Sequence, residues 1–273
     1  MFSVLMSIYI NERPKNLEEC LNSLITQTKI PSEIVIVKDG PLTKDLDIIL
    51  ENYKKNFPYL INIIELESNV GLGIALAHGL KHCKYELVAR MDTDDIARND
   101  RFERQLEYFN ADKSLDIIGS HIIEFEEDVN NIVGKRTVPL NANEINQFAK
   151  RRNPFNHVTV MYKKDIVLSV GNYRKVSGIG YEDYDLWIRL LISGANCKNI
   201  DDYLVYVRGG KDMYKRRGNR ERLKTALTFR YNMFKLGSCS FSDLVFASSA
   251  NIVVTIIPNW LRGFIYINFL RSK

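Results

Sequence analysis

Three times in the first 95 residues, a short and almost unbroken apolar run gives way to a stretch whose apolar positions recur at helical spacing, and a fourth run follows. Val4-Leu5-Met6-Ser7-Ile8-Tyr9-Ile10 is followed by Leu17, Leu21, Leu24 and Ile25, which fall at i, i+4, i+7 and i+8. That spacing lays one apolar stripe along a helix, and Pro14 suits its first turn. Ile34-Val35-Ile36-Val37 precedes a helix expected over 44–57. A third strand over 60–66 precedes a helix that opens at Asn69-Val70-Gly71-Leu72-Gly73 and runs to about residue 83. The fourth run, Tyr85-Glu86-Leu87-Val88-Ala89, ends abruptly at Arg90-Met91-Asp92-Thr93-Asp94-Asp95. Runs this short read as buried strands, and their alternation with helices predicts a doubly wound, mostly parallel α/β sheet.

Beyond residue 95 the alternation weakens. The pattern predicts a helix over 99–111, strands over 116–125 and 132–138, and a helix over 142–152. Asn153-Pro154-Phe155-Asn156-His157 reads as a loop before an apolar run over 158–162. Glu182-Asp183-Tyr184-Asp185-Leu186-Trp187 opens a helix reaching about residue 193, followed by a strand over 203–207 and a helix over 220–236. No internal repeat interrupts the chain. Its 273 residues allow one large α/β domain or two modest ones, and 45% hydrophobic with 26% charged content is that of a globular protein with a real core. Cys20, Cys83, Cys197 and Cys239 lie too far apart for metal-type spacing, so they are expected to be reduced thiols in a cytoplasmic protein. The N-terminus enters a strand at once, with neither a basic leader nor a cleavage-site pattern, so no signal peptide is expected.

Charge changes the picture locally. The net charge is +5, yet residues 208–224 hold eight Lys or Arg against Asp212 and Glu221, leaving the remainder at −1. Such a segment implies an anionic partner: a phosphate, a lipid headgroup or a nucleic acid. No nucleic-acid recognition motif accompanies it, so no nucleic acid is expected. Farther on, residues 244–261 are uncharged for 18 positions, the lower edge of a membrane span. Ser248, Ser249, Asn251, Pro258 and Asn259 interrupt the run, and Trp260, Arg262, Tyr266 and Arg271 mix aromatic with basic groups. That mixture favours a segment lying on a membrane surface over one that spans it, with ordinary core packing as the plainer alternative.

The acidic stretch carries the candidate chemistry. Ligands of open α/β sheets bind outside the carboxyl ends of strands, where Asp92, Asp94 and Asp95 fall. Hard divalent cations take such oxygen ligands, and Mg²⁺ is commonly shared between one or two carboxylates and substrate phosphates. The alternative is an acidic turn that caps the helix over 99–111.

Five motifs in this order resemble family 2 inverting glycosyltransferases, in particular bacterial enzymes of O-antigen, capsule or exopolysaccharide synthesis. They are Ser7-Ile8-Tyr9-Ile10-Asn11-Glu12, Ile36-Val37-Lys38-Asp39-Gly40, Asn69-Val70-Gly71, Ala89-Arg90-Met91-Asp92-Thr93-Asp94-Asp95 and Glu182-Asp183-Tyr184-Asp185-Leu186-Trp187. The resemblance covers about residues 1–215. It implies a GT-A fold, a UDP-sugar donor, Mn²⁺ or Mg²⁺, and one carboxylate acting as base. Residues 1–95 would be the nucleotide-sugar half, 96–215 the acceptor half, and 216–273 a basic, helical, membrane-associating tail. The expected reaction moves a hexose, galactose or an N-acetylhexosamine, to a lipid-linked saccharide at the cytoplasmic face of a bacterial inner membrane.

The same resemblance assigns residues. Ser7 and Tyr9 would seat uridine, with Glu12 a further candidate in that loop. Asp39 would accept the uracil N–H, while Lys38 replaces an acidic residue often found there. Asn69 and Gly71 would bring amides of a helix start to the nucleotide. Asp92 and Asp94, the D-x-D pair, would share ribose and metal, with Asp94 the metal ligand, Asp95 either a second ligand or a cap, and Arg90 their counter-cation. Asp183 would be the base with Glu182 as the second candidate; His157, an isolated histidine after a loop, would meet acceptor or metal or be structural. Trp187 would stack on an acceptor sugar or belong to the core. Apart from the resemblance, the basic stretch with Lys211 and Arg216 would fold over the donor diphosphate, touch anionic lipid or form a solvated helix face. A nucleotidyltransferase is the enzymatic rival, but Asn11-Glu12-Arg13-Pro14 lacks its Gly-rich phosphate loop. A non-enzymatic membrane-surface scaffold is the other.

Overall fold

The computed structural model describes residues 1–176, 180–209 and 220–257. Its first half follows the apolar pattern closely. β1 (Phe2–Ile8), β2 (Glu33–Lys38), β3 (Ile61–Glu65) and β4 (Leu87–Arg90) alternate with α1 (Pro14–Ile25), α2 (Lys44–Asn56) and α3 (Leu72–His82). These strands are parallel, in the order β3-β2-β1-β4. Alternate residues of β1 feed opposite faces. Val4, Met6 and Ile8 pack with α1 and α2, and Leu5 packs with Ala75, Leu76 and Leu80 of α3. All four β1 side chains are fully buried, each contributing roughly 1.5–3 kcal/mol relative to exposure.

The order of those strands fixes where a ligand can bind. The chain builds outward from β1 through β2 to β3, then returns to place β4 on the other side of β1. The point where strand order reverses opens a crevice at the carboxyl ends, between β1 and β4. Both Ser7-Ile8-Tyr9 and Asp92-Thr93-Asp94-Asp95 sit at that edge.

Past β4 the sheet is mixed. β5 (Ile96–Ala97), α4 (Arg101–Ala111), β6 (Ile117–Glu126), β7 (Asp128–Arg136), α5 (Ala142–Ala149), β8 (Met161–Lys163), α6 (Lys164–Ser169), α7 (Glu182–Ile192) and β9 (Cys197–Arg208) complete it. β8 runs antiparallel to β4 and β6, while β9 runs parallel to β6 and receives β5 antiparallel. β9 begins six residues earlier than the apolar run suggests, because Lys198, Asp201 and Asp202 interrupt the pattern while Cys197, Asn199 and Ile200 point inward. The apolar run over 158–162 is a 3-10 turn (His157–Thr159) followed by a short strand, not one continuous strand.

α8 (Arg220–Lys235) and α9 (Phe241–Ile256) form a hairpin against α7. Phe229 stacks against Tyr181 and Tyr184, with centroids 4.8 and 4.9 Å away. Arg230 donates to Arg151 O at 2.7 Å and to Tyr184 Oη at 3.0 Å. α9 starts in a Ser240/Asp243 capping box, and Asp243 pairs with Arg151 at 2.6 Å. Among the described residues, no helix is long and apolar enough to cross a membrane. The boundary expected at 215/216 and the tail beyond 257 lie outside the described residues, as do Lys211 and Arg216.

Candidate active site

The floor of the crevice is a cation. Arg90, the last residue of β4, is fully buried and donates through Nη2 to Asp92 Oδ1. Its backbone carbonyl accepts from Arg101 Nη2 at 2.7 Å, and Arg101 is also fully buried. Two guanidinium groups therefore lie beneath a turn that presents three aspartates. Arg90 acts on that turn from below, through Asp92, because none of its surface is exposed.

The three aspartates have separate surroundings. Asp92 leans on Arg90. Asp95 is buried and accepts the Arg208 backbone N–H at 2.8 Å. Asp94 has no ion pair among the described residues, and burial with its Asp92 and Glu12 neighbours raises its pKa to about 7. Burial and then Asp94 push Asp95 upward as well. Glu12 joins the cluster by accepting the Thr93 hydroxyl, which ties the loop after β1 to the acidic turn. Among the described residues, no group of three His, Cys, Asp or Glu side chains forms a ready-made metal cage. A cation here would need oxygen ligands from a substrate, the sharing common for Mg²⁺.

The other wall is built from β2 and α3. Asp39 is nearly buried, and its two oxygens accept the N–H groups of Val70 at 2.7 Å and Gly71 at 3.1 Å. The carboxylate thus braces the loop leading into α3 and keeps lone pairs for another donor. The Gly71 amide is engaged with Asp39, and Asn69 is exposed beside it. Ser7 is half-buried and Tyr9 is 44% exposed, at the mouth. Lys38 faces away into a pair of 2.8 Å contacts with Asp47 and Glu65.

Opposite stands the first turn of α7. Asp183 Oδ2 accepts from Asn153 Nδ2 at 2.7 Å, and its Oδ1 accepts the Tyr184 N–H at 2.7 Å. Burial and the neighbouring Glu182 raise Asp183 to about 6 despite those bonds. α3 approaches this turn so closely that a Cβ on Gly73 would stand 2.7 Å from Arg174 O and 3.1 Å from Glu182 Cβ. Asp185 accepts from Arg174 at 2.6 and 2.8 Å and from Arg189 at 3.0 Å, while Arg189 also donates to Asn172 O at 2.7 Å. Those bonds fasten α7 to the loop before it. Trp187 is fully buried, its ring 5.5 Å from Phe155, so it belongs to the core. His157 donates to or accepts from Tyr173 Oη at 3.0 Å, and burial with Arg90 nearby holds its pKa well below the usual histidine value.

Sequence reasoning missed Asn153, Asp185, Arg189 and Arg208. Arg208 supplies its amide to Asp95, its Nε to Asp94 O at 3.0 Å and its Nη2 to Glu19. The Asp185/Arg189 pair at i, i+4 was legible as a helix-surface ion pair. Nothing in the pattern marks Asn153.

The acidic turn thus lies at the carboxyl end of β4, and the close contact of Gly73 with Glu182 brings the start of α3 to the first turn of α7. The chain belongs to glycosyl transferase family 2, whose model matches residues 3–175, and it is a glycosyltransferase with a GT-A-like fold. It is 44% identical over 219 residues to the amylovoran biosynthesis glycosyltransferase AmsE of Erwinia amylovora, covering 80% of each chain. It is 36% identical over 271 residues to the UDP-Gal:alpha-D-GlcNAc-diphosphoundecaprenol beta-1,3-galactosyltransferase of Escherichia coli, covering 99% of this chain and 96% of that one. Among solved structures, the mannosyltransferase PcManGT of Pyrobaculum calidifontis, in complex with GDP-Man and Mn²⁺, matches with a TM-score of 0.67 at 15% identity. That match covers 96% of this chain and 72% of that one, and shows a shared fold.

Proposed function

We propose that this glycosyltransferase transfers a hexose, with inversion, from a UDP-sugar to a lipid-linked saccharide during surface polysaccharide synthesis. The observation that supports the reading is the cluster of Asp92, Asp94 and Asp95 at the carboxyl end of β4, braced by Arg90 and Arg208, in a chain that presents Asp183 in the first turn of α7. Asp39 accepts the uracil N–H, Ser7 and Tyr9 flank the base, and Asp92 holds the ribose from its seat on Arg90. Asp94 would hold a divalent cation, Mn²⁺ or Mg²⁺, together with oxygens of the donor, and Asp95 stiffens the turn. The cation supplies Lewis-acid stabilisation of the leaving UDP. Asp183 takes the proton from the attacking acceptor hydroxyl as that oxygen bonds to the anomeric carbon, and Glu182 helps keep it basic. Such general-base help is typically worth about 10²–10⁴-fold.

Galactose and N-acetylhexosamines are the donor sugars to try first. The first acceptor is an N-acetylglucosaminyl diphosphate lipid, the acceptor in the name of the Escherichia coli relative. The chain works at a membrane surface. Supporting this, α9 turns Phe241, Val245, Phe246, Val253 and Ile256 outward, all between 48% and 75% exposed. The sequence beyond it adds Trp260, Arg262, Tyr266 and Arg271, a mixture suited to headgroups. The deciding experiment screens UDP-sugars for divalent-metal-dependent hydrolysis and transfer to that lipid. Turnover with a UDP-hexose that stops with EDTA is expected. Metal-independent turnover, or transfer with retention, would overturn the reading.

A further inference from the structure

Next to Tyr181, the α8–α9 hairpin borders a half-open cavity of about 160 Å³, walled by Tyr181, Arg222, Ala226, Asn251, Val254 and Thr255. At about 30 Å³ per water it has room for about five waters, the bulk of a single pyranose ring. Tyr181 immediately precedes the Glu182–Asp183 pair and offers a ring held by Phe229. Across from it, Asn251 Nδ2 is buried without a hydrogen-bond partner. Native proteins rarely leave a buried amide unpaired, because its lost solvation costs about 1–3 kcal/mol. Arg222 reaches the lead-in to α7, its Nη2 lying 3.4 Å from where a Cβ on Gly180 would stand.

We infer that this cavity receives the acceptor: a sugar ring against Tyr181, a ring hydroxyl on the Asn251 amide, and the diphosphate toward Arg222. The inference rests on the proposed transfer reaction and adds to it the place from which the nucleophile arrives. The geometry suits an acceptor embedded in lipid. α9 contributes Asn251, Val254 and Thr255 to the cavity while its outer face carries Phe246, Val253 and Ile256. A lipid-borne sugar approaching along α9 would reach Tyr181, the residue that leads into Glu182 and Asp183 in the chain.

The test uses the full chain and a short-alkyl N-acetylglucosaminyl diphosphate as probe. Asn251→Leu keeps the volume and removes the unpaired amide. It should raise the probe's KM by roughly five- to tenfold, the loss of one hydrogen bond, while metal-dependent UDP-sugar affinity is retained. Thermal stability should stay level or rise, since no partner is stranded; a structural amide would give a fall instead. Arg222→Gln should raise the KM of the diphosphate probe but not that of an alkyl N-acetylglucosaminide lacking phosphate. Saturation-transfer NMR of the probe, read without turnover, should weaken in Asn251→Leu. If the wild type transfers and both variants keep the probe's KM within twofold, the cavity is not the acceptor site, though the reaction stands. If the wild type turns over no UDP-sugar while probe binding still depends on Asn251, the cavity assignment stands and the reaction reading fails.

Discussion

Asp183 and Asp94 both have to work ionised, one as a base and the other as a cation ligand, although each has a raised pKa. A base must be unprotonated, and burial beside Glu182 sets Asp183 at about 6. Transfer should therefore rise with pH through about 6 and level off above it, as read from kcat between pH 5 and 8. Asp183→Asn should retain UDP-sugar binding and lose about 10²–10⁴-fold in kcat. Normal transfer by that variant alongside an inactive Glu182→Gln would move the base to the neighbour. For Asp94 the sign concerns stability. Its native value of about 7 lies above the ordinary 3.8, so between those pH values the folded state holds the extra proton. The contribution to metal-free stability is greatest at low pH and lost as pH rises through about 7. Asp94→Asn should therefore raise the metal-free melting temperature at pH 7.5 by a few degrees, at roughly 2–4 °C per kcal/mol for a chain of this size. The same variant should lose metal-dependent UDP binding. A lower melting temperature would show that the Asp94 charge is compensated. The roles proposed for both aspartates come from the resemblance to family 2, while their positions, at a strand end and a helix start, were legible in the sequence. Asn153 was not, since a lone loop asparagine belongs to no periodicity.

Among the elements, the contact of α3 with α7 joins the two walls of the crevice. Gly73 allows it: a Cβ there would stand 2.7 Å from Arg174 O and 3.1 Å from Glu182 Cβ. Gly73→Ala should shift the carboxylate pair by a few tenths of an ångström and lower kcat at least tenfold, with UDP affinity nearly unchanged because Asp39 still braces the loop. Equal losses in kcat and UDP affinity would instead mean that α3 itself has moved. The parallel half of the sheet could be read from its apolar runs because its strands are covered on both faces. β9 could not be delimited, since Lys198, Asp201 and Asp202 break the alternation at an edge where polar side chains find partners. Arg208 hid within a basic run, and charge counting does not tell a clasp from a solvated cation.

For the whole molecule, α9 is the test of how far the fold extends. It buries only Asp243 and Ala247, so most of its apolar side chains do not serve the core. A chain ending at Ser240 should stay folded and bind UDP-sugar with metal, yet no longer sediment with anionic lipid vesicles. Unfolding on truncation would make α9 a core element. Full-length protein should leave membranes in alkaline carbonate, as a surface-bound chain does. Arg208 has a bearing on synthesis as well. It grips the acidic turn from 113 residues downstream, through its amide on Asp95. A ribosome adding about 5–20 residues per second leaves Asp94 and Asp95 without that grip for roughly 6–23 s after they emerge. A nascent chain stalled before residue 208 should accordingly bind UDP and metal poorly, even with every nucleotide-facing motif already made.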